Sequence, residues 1–328
     1  MSKIIRKMEQ FKIQDLNPIS VLFPRESNVK NIFLLISIQL LLLTGCATGN
    51  LPLRHDVAIS RDSERIAYNV AGEGDTALVF IHGWSCDARY WQNQVPAFAD
   101  DYQVVSLDLA GHGHSSAGRL ACTMDSFADD VRAVIDKEHI GRAVLVGHSM
   151  GGAVMAEAAR LMPEKVIGIV GIDTLQNVGE RHPQKFIDDM VAPFDADFTN
   201  ATRNFVAGMF PQGADPRLVN WVREDMSSAP KTAALSAFRY YLQQYVNGEA
   251  ARVFDDIRIP VVSINARLWP TEPEENRKHI ADYQLYYIDG TGHFPMLEKP
   301  EEFNALLRKA VHSVEAKWDG AETQPLRR

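Results

Sequence analysis

Apolar positions along this chain follow two different rhythms. From about residue 57 to 175, and again from 256, short continuous apolar runs alternate with stretches of helical spacing. Residues 57–59 and 65–70 read as an opening antiparallel pair. Residues 78–81, 104–107, 144–146, 166–172, 261–264 and 285–288 are apolar runs with no charged residue, which suit strands covered on both faces of a parallel sheet. Between two of them, apolar residues at 127, 128, 131, 134 and 135 give a helical stripe, with Ser126 as its expected cap. The pattern predicts an α/β fold: a mostly parallel sheet of about eight strands with helices on both faces.

Residues 176–255 break that alternation. They carry aromatics and methionines at helical spacing, among them Phe186, Met190, Phe205, Phe238 and Tyr241, punctuated by Pro193, Pro211, Pro216 and Pro230. This reads as a helical cap inserted into a core made of 57–175 and 256–315. Most of its aromatics are expected to form the cap's own core. Residues 316–328 read as a loose polar tail.

The first 45 residues follow neither rhythm. Residues 32–43 are twelve in a row without a charge, too short to span a membrane comfortably and matching the core of a signal peptide. Leu43-Thr44-Gly45-Cys46 follows, which resembles the lipobox of bacterial lipoproteins. That resemblance implies a lipid on Cys46, residues 46–56 as a linker, and a protein exported and held on a membrane, with Ala47 pointing to the outer membrane. Acyl chains contribute about 0.8 kcal/mol per buried methylene, so several can hold a soluble domain. About thirty residues before the apolar run are long for a signal. Initiation at a GTG codon for Val29 would give an ordinary one.

Charge narrows the function classes. The 328 residues carry a formal net charge of −8, and six Lys/Arg against three Asp/Glu before Cys46 leave about −11 on the remainder. An acidic body lacks the basic stripe of a nucleic-acid binder. The chain has three cysteines. Cys86 and Cys122 form no CxxC, so a disulfide and two free thiols are both open. No metal or organic cofactor is implied.

The chemistry concentrates at Gly147-His148-Ser149-Met150-Gly151. A strand-like run enters this pentapeptide and a small-residue helical run leaves it. A serine on such a turn is lifted clear of the sheet, with flanking glycines where side chains would clash. Three further motifs accompany it in order: His82-Gly83-Trp84, Asp108 to Ser115, and Gly290-Thr291-Gly292-His293-Phe294-Pro295. Together the four resemble the α/β-hydrolase family over residues 57–314.

That resemblance implies a serine hydrolase acting on a carboxylic ester or related acyl bond of a small, apolar substrate. Ser149 is the expected nucleophile and His293 its base. Trp84 and Met150 are the expected backbone N–H donors of an oxyanion hole. His82, His112, His114 and His148 are expected to pack in turns or bond backbone. The acid usually follows the strand at 261–264, where this chain reads Asn265-Ala266-Arg267-Leu268-Trp269-Pro270-Thr271-Glu272. Asp173, one strand earlier, is the expected acid, with Glu272 or a neighbour as the alternative. Carbon–carbon bond hydrolysis, haloperoxidase-like or lyase chemistry, or a non-catalytic surface lipoprotein are the other readings.

Overall fold

The computed structural model describes residues 53–322. The apolar segment 32–43 and Cys46 lie outside the described residues. Eight strands form one sheet: β1 (Arg54–Ile59), β2 (Arg65–Ala71), β3 (Ala77–Ile81), β4 (Gln103–Leu107), β5 (Ala143–His148), β6 (Val166–Ile172), β7 (Val261–Asn265) and β8 (Tyr283–Tyr287). Their order across the sheet is β1-β2-β4-β3-β5-β6-β7-β8. β1 and β2 are antiparallel, β2 meets β4 antiparallel, and every pair from β4 to β8 is parallel.

Four of the six apolar runs are strands buried along their whole length, β3, β5, β6 and β7. From β3 the chain crosses to β4 on one side and then to β5 on the other. Loops at the carboxyl ends of β3 and β5 therefore diverge and leave a crevice, the usual place for a site in an open α/β sheet.

Helices α1 (Met124–Lys137) and α2 (Met150–Leu161) cover the sheet. The cap of α1 is Thr123, whose hydroxyl accepts the Ser126 N–H at 3.1 Å, and Ser126 sits inside the first turn. The sequence pattern had started this helix one cap too late because Ser126 also bonds backbone, donating to the Thr123 carbonyl at 2.8 Å. The four longer helices between β6 and β7 are α3 (Gln184–Ala196), α4 (Phe198–Ala207), α5 (Pro216–Ser227) and α6 (Lys231–Asn247). Asp197 and Asp215 cap α4 and α5, and α6 stops at Gly248 with φ +79°.

The last helix, α7 (Pro300–Glu322), corrects the expectation of a loose tail from residue 316. Lys317 pairs with Asp282 at 2.5 Å and Trp318 packs partly against the core, so residues 316–322 remain helical. Among the described residues no helix is long and apolar enough to cross a membrane.

Candidate active site

β5 ends in a turn whose geometry is unusual. Ser149 has φ +53° and ψ −119°, a region where a side chain costs of the order of 1–3 kcal/mol. Its surroundings hold it there. The Ser149 N–H donates to the Ile172 carbonyl at 3.0 Å, and the Ser149 carbonyl accepts from Gly152 N–H at 2.8 Å and Thr174 Oγ1 at 2.9 Å. A Cβ on Gly147 would lie 2.3 Å from the Gly151 carbonyl oxygen, and one on Gly151 2.5 Å from the Ile81 carbonyl oxygen. The glycines are therefore required by backbone contact. Met150 opens α2, so its N–H has no acceptor within the helix and sits at the helix's positive end.

The base candidate and the acid candidate meet. His293 Nδ1 lies 2.6 Å from Asp173 Oδ2. Asp173 is buried at the end of β6, with φ +43°, and its Oδ1 accepts the Ala266 N–H at 2.9 Å. An ionised carboxylate only accepts, so Nδ1 is the donor in this contact. Glu272, the alternative acid, is exposed and accepts from Asn177 Nδ2 at 2.9 Å.

The end of β7, which carries no carboxylate, supports the turn of Asp173 from outside. Asn265 is fully buried. Its Oδ1 accepts the Thr174 N–H at 3.2 Å, and its Nδ2 donates to the Thr174 carbonyl and to Thr271 Oγ1, both at 2.9 Å. Thr174 in turn fills a niche: a Cβ on Gly152 would come 2.5 Å from its side chain. Thr174 thus ties the turn of Asp173 to the turn of Ser149. Sequence reasoning passed over both residues. The signal available was a polar Asn closing an otherwise apolar strand.

The His293 loop is held by the cap and by its own following turn. The His293 N–H donates to the Met209 carbonyl, in the cap, at 2.8 Å. Glu298 accepts from Gly292 N–H at 2.9 Å and Phe294 N–H at 3.1 Å. Burial raises the Glu298 carboxyl above its ordinary range, opposed by those two donors. Trp269 sets its ring edge-on to His293, with centroids 4.8 Å apart.

The other histidines serve the scaffold. His148 Nε2 donates to the His293 carbonyl at 2.8 Å, while its Nδ1 finds no partner, and burial pushes it well below the imidazole range. His82 accepts the Leu109 N–H on Nε2 at 3.0 Å, and burial lowers it too. Burial takes His112 down to about 3. His114 differs: its side chain is exposed, and its backbone N–H donates to Asp108 at 2.8 Å. Asp108 also accepts the Ala88 N–H, so that motif organises backbone. Cys86 and Cys122 are both free and buried, and burial holds the Cys86 thiol well above its ordinary range. Among the described residues no group of three or more His, Cys, Asp or Glu could hold a metal ion.

The sequence profile of the alpha/beta hydrolase family matches residues 78–306. This chain belongs to that family. The dihydrolipoyllysine-residue acetyltransferase component of the acetoin cleaving system of Pseudomonas putida is 29% identical over 253 residues, 74% of this chain. The alignment takes in 66% of that relative, so the chain spans just under two thirds of its length. The 3-oxoadipate enol-lactonase 2 of Acinetobacter baylyi is 27% identical over 266 residues, covering 77% of this chain and 94% of that protein. A solved N-acyl homoserine lactone degrading enzyme superposes with a TM-score of 0.66 at 26% identity, covering 78% of this chain and 99% of that one. Esterases, haloperoxidases and an epoxide hydrolase also appear among its relatives and structural neighbours.

In this α/β hydrolase the cap and core enclose a cavity of about 470 Å³ lined by Ser149, His293 and Asp173. The cap supplies Phe186, Met190, Phe205, Met209, Phe238 and Tyr241. Other cap aromatics pack elsewhere, with Phe194 and Phe198 against Trp84 and Trp221 against Tyr90. The apolar cap residues therefore divide between lining and packing. Trp84 does both: it lines the cavity, stacks on Phe238 at 4.8 Å and donates from Nε1 to the Ala234 carbonyl at 2.7 Å.

Proposed function

We propose that this protein is a serine hydrolase that cleaves a carboxylic ester, open-chain or cyclic, of a small and largely apolar acyl substrate. The observation that carries the reading is the 2.6 Å contact of buried Asp173 with His293 on the cavity that Ser149 also lines. Ser149 Oγ attacks the carbonyl carbon while His293 Nε2 takes its proton. Asp173 holds the imidazole in its Nδ1–H form and stabilises the imidazolium. The N–H groups of Met150 and Trp84 receive the charge that develops on the carbonyl oxygen. The carbon–oxygen bond to the leaving group breaks as His293 returns the proton to it. Water then repeats the sequence on the acyl-enzyme. Cys86 also lines the cavity, but a thiol raised by burial carries little thiolate and is a poor competitor.

Labelling by a fluorophosphonate probe tests the nucleophile. The wild-type protein should label stoichiometrically and the Ser149→Ala variant should not, with ester turnover falling by a factor of about 10⁶ if the three residues act as a unit. Retained labelling in that variant would remove Ser149 from the role.

For location, we propose export and a lipid anchor on Cys46, supported by the apolar run and the small residues before it. Metabolic incorporation of an alkyne-tagged fatty acid should be lost in Cys46→Ser. Equal incorporation in both would refute the anchor.

A further inference from the structure

The cavity has two unlike walls. The cap side is apolar, built from Phe186, Met190, Phe205, Met226, Phe238 and Leu242. The loops after β6 and β7 add Trp269 and Pro270 and, unlike the cap helices, the polar and acidic side chains of Gln176, Asn177, Glu180 and Glu272. Among the described residues no Lys or Arg lines the cavity. The acidic wall is braced as well as charged, since the Glu272 N–H donates to the Gln176 carbonyl at 2.8 Å and Asn177 Nδ2 to the Glu272 side chain. Basic groups nearby are engaged elsewhere. Arg267 pairs with Asp289 at 2.6 Å, and Arg181 donates to the Val246 carbonyl at 3.2 Å. His182 Nε2 stands 3.4 Å from Glu180 Oε1 without lining the cavity.

From this asymmetry we infer that the pocket takes uncharged or cationic acyl substrates and rejects those carrying a carboxylate. The inference rests on the proposed nucleophilic role of Ser149. A substrate carboxylate would lose water against the apolar wall and meet Glu180 and Glu272 without any cation to receive it. A positive or neutral polar group meets the same wall favourably. At roughly 10 Å and an effective dielectric between bulk water and a protein surface, each carboxylate changes the preference by about 2- to 15-fold.

The test is a matched set of aryl acetates bearing a trimethylammonium, a tert-butyl or a carboxylate group para to the ester. Each kcat/KM is divided by that ester's hydroxide-catalysed rate, which removes leaving-group reactivity. The cationic ester should exceed the anionic one by about tenfold or more at low salt, and the gap should shrink in about 1 M NaCl, where the Debye length is near 3 Å. The Glu180→Gln/Glu272→Gln double variant should lose most of the gap. An anionic ester turned over as well as the cationic one, or a gap unchanged in the double variant, overturns the charge selection while leaving the hydrolase reading intact. If no ester is cleaved faster than by Ser149→Ala, the hydrolase reading fails and the selection falls with it.

Discussion

The turn that carries Ser149 and the loops that carry His293 and Asp173 are built in opposite ways. The serine turn is held by its near neighbours in the sheet. Its glycines at 147 and 151 are fixed by contacts of the backbone with itself and with β3. Asp173 and His293 depend on residues far away in sequence, save the nearby Glu298. Asp173 leans on Ala266, its turn on Asn265, and His293 on Met209 and Glu298. One half of the site is therefore seated directly on the neighbouring strands β3 and β6. The other is assembled only when the cap and the last third of the chain have folded.

Substitutions can separate the two halves. The largest effect is expected from Asp173→Asn, which keeps the shape but reverses the hydrogen bond and traps the wrong imidazole tautomer. Turnover should fall by about 10⁴-fold, while fluorophosphonate labelling slows without disappearing. A loss below about tenfold would mean that another carboxylate orients His293. A smaller effect is expected from Thr174→Val, which keeps the volume in the Gly152 niche and removes the bond to the Ser149 carbonyl. A buried hydrogen bond is worth about 1–3 kcal/mol when one partner is left unsatisfied. The variant should lose about tenfold in kcat with KM little changed, and Thr174→Ser should recover most of it. If Val and Ser behave alike, Thr174 is packing and not a link between the turns.

The mildest test is acidity. His82, His112 and His148 are all buried with depressed basicity, and they belong to or pack beside β3 and β5. In the unfolded chain each binds a proton near pH 6.5, but in the folded chain only below that. Between those values the unfolded state holds more protons, so stability is fully present above about pH 6.5 and is lost as pH falls. Three such groups give a slope of at most about 4 kcal/mol per pH unit. Urea denaturation at pH 7.5 and 5.5 should show the loss, and His112→Gln should flatten the slope by about a third. A pH-independent midpoint over that range would contradict the neutral burial of these rings.

The same contrast explains what could be read in the sequence. The serine turn was legible because its requirements fall within five consecutive residues. Strands β3, β5, β6 and β7 were legible because each is buried along its whole length and so reads as a continuous apolar run. β8 was placed two residues late, since Tyr283–Tyr287 is half-buried over most of its length and Gln284 interrupts its pattern. The carboxylate was harder. An Asp after a buried strand can cap a turn or orient a histidine, and only the 2.6 Å contact with His293 separates the two. Glu298 was invisible because its partners are backbone N–H groups, which every residue has.

The backbone link from Met209 to His293 has a consequence for how such a protein can change. A Cβ on Gly292 would sit 2.2 Å from that same Met209 carbonyl oxygen, so cap and histidine loop are seated against one another with no slack. Rebuilding the cap to admit a new substrate would therefore retune the speed of the chemistry as a side effect. Substrate range and turnover are one inherited trait here, and a grafted cap would have to reproduce a single carbonyl position before its new pocket could matter.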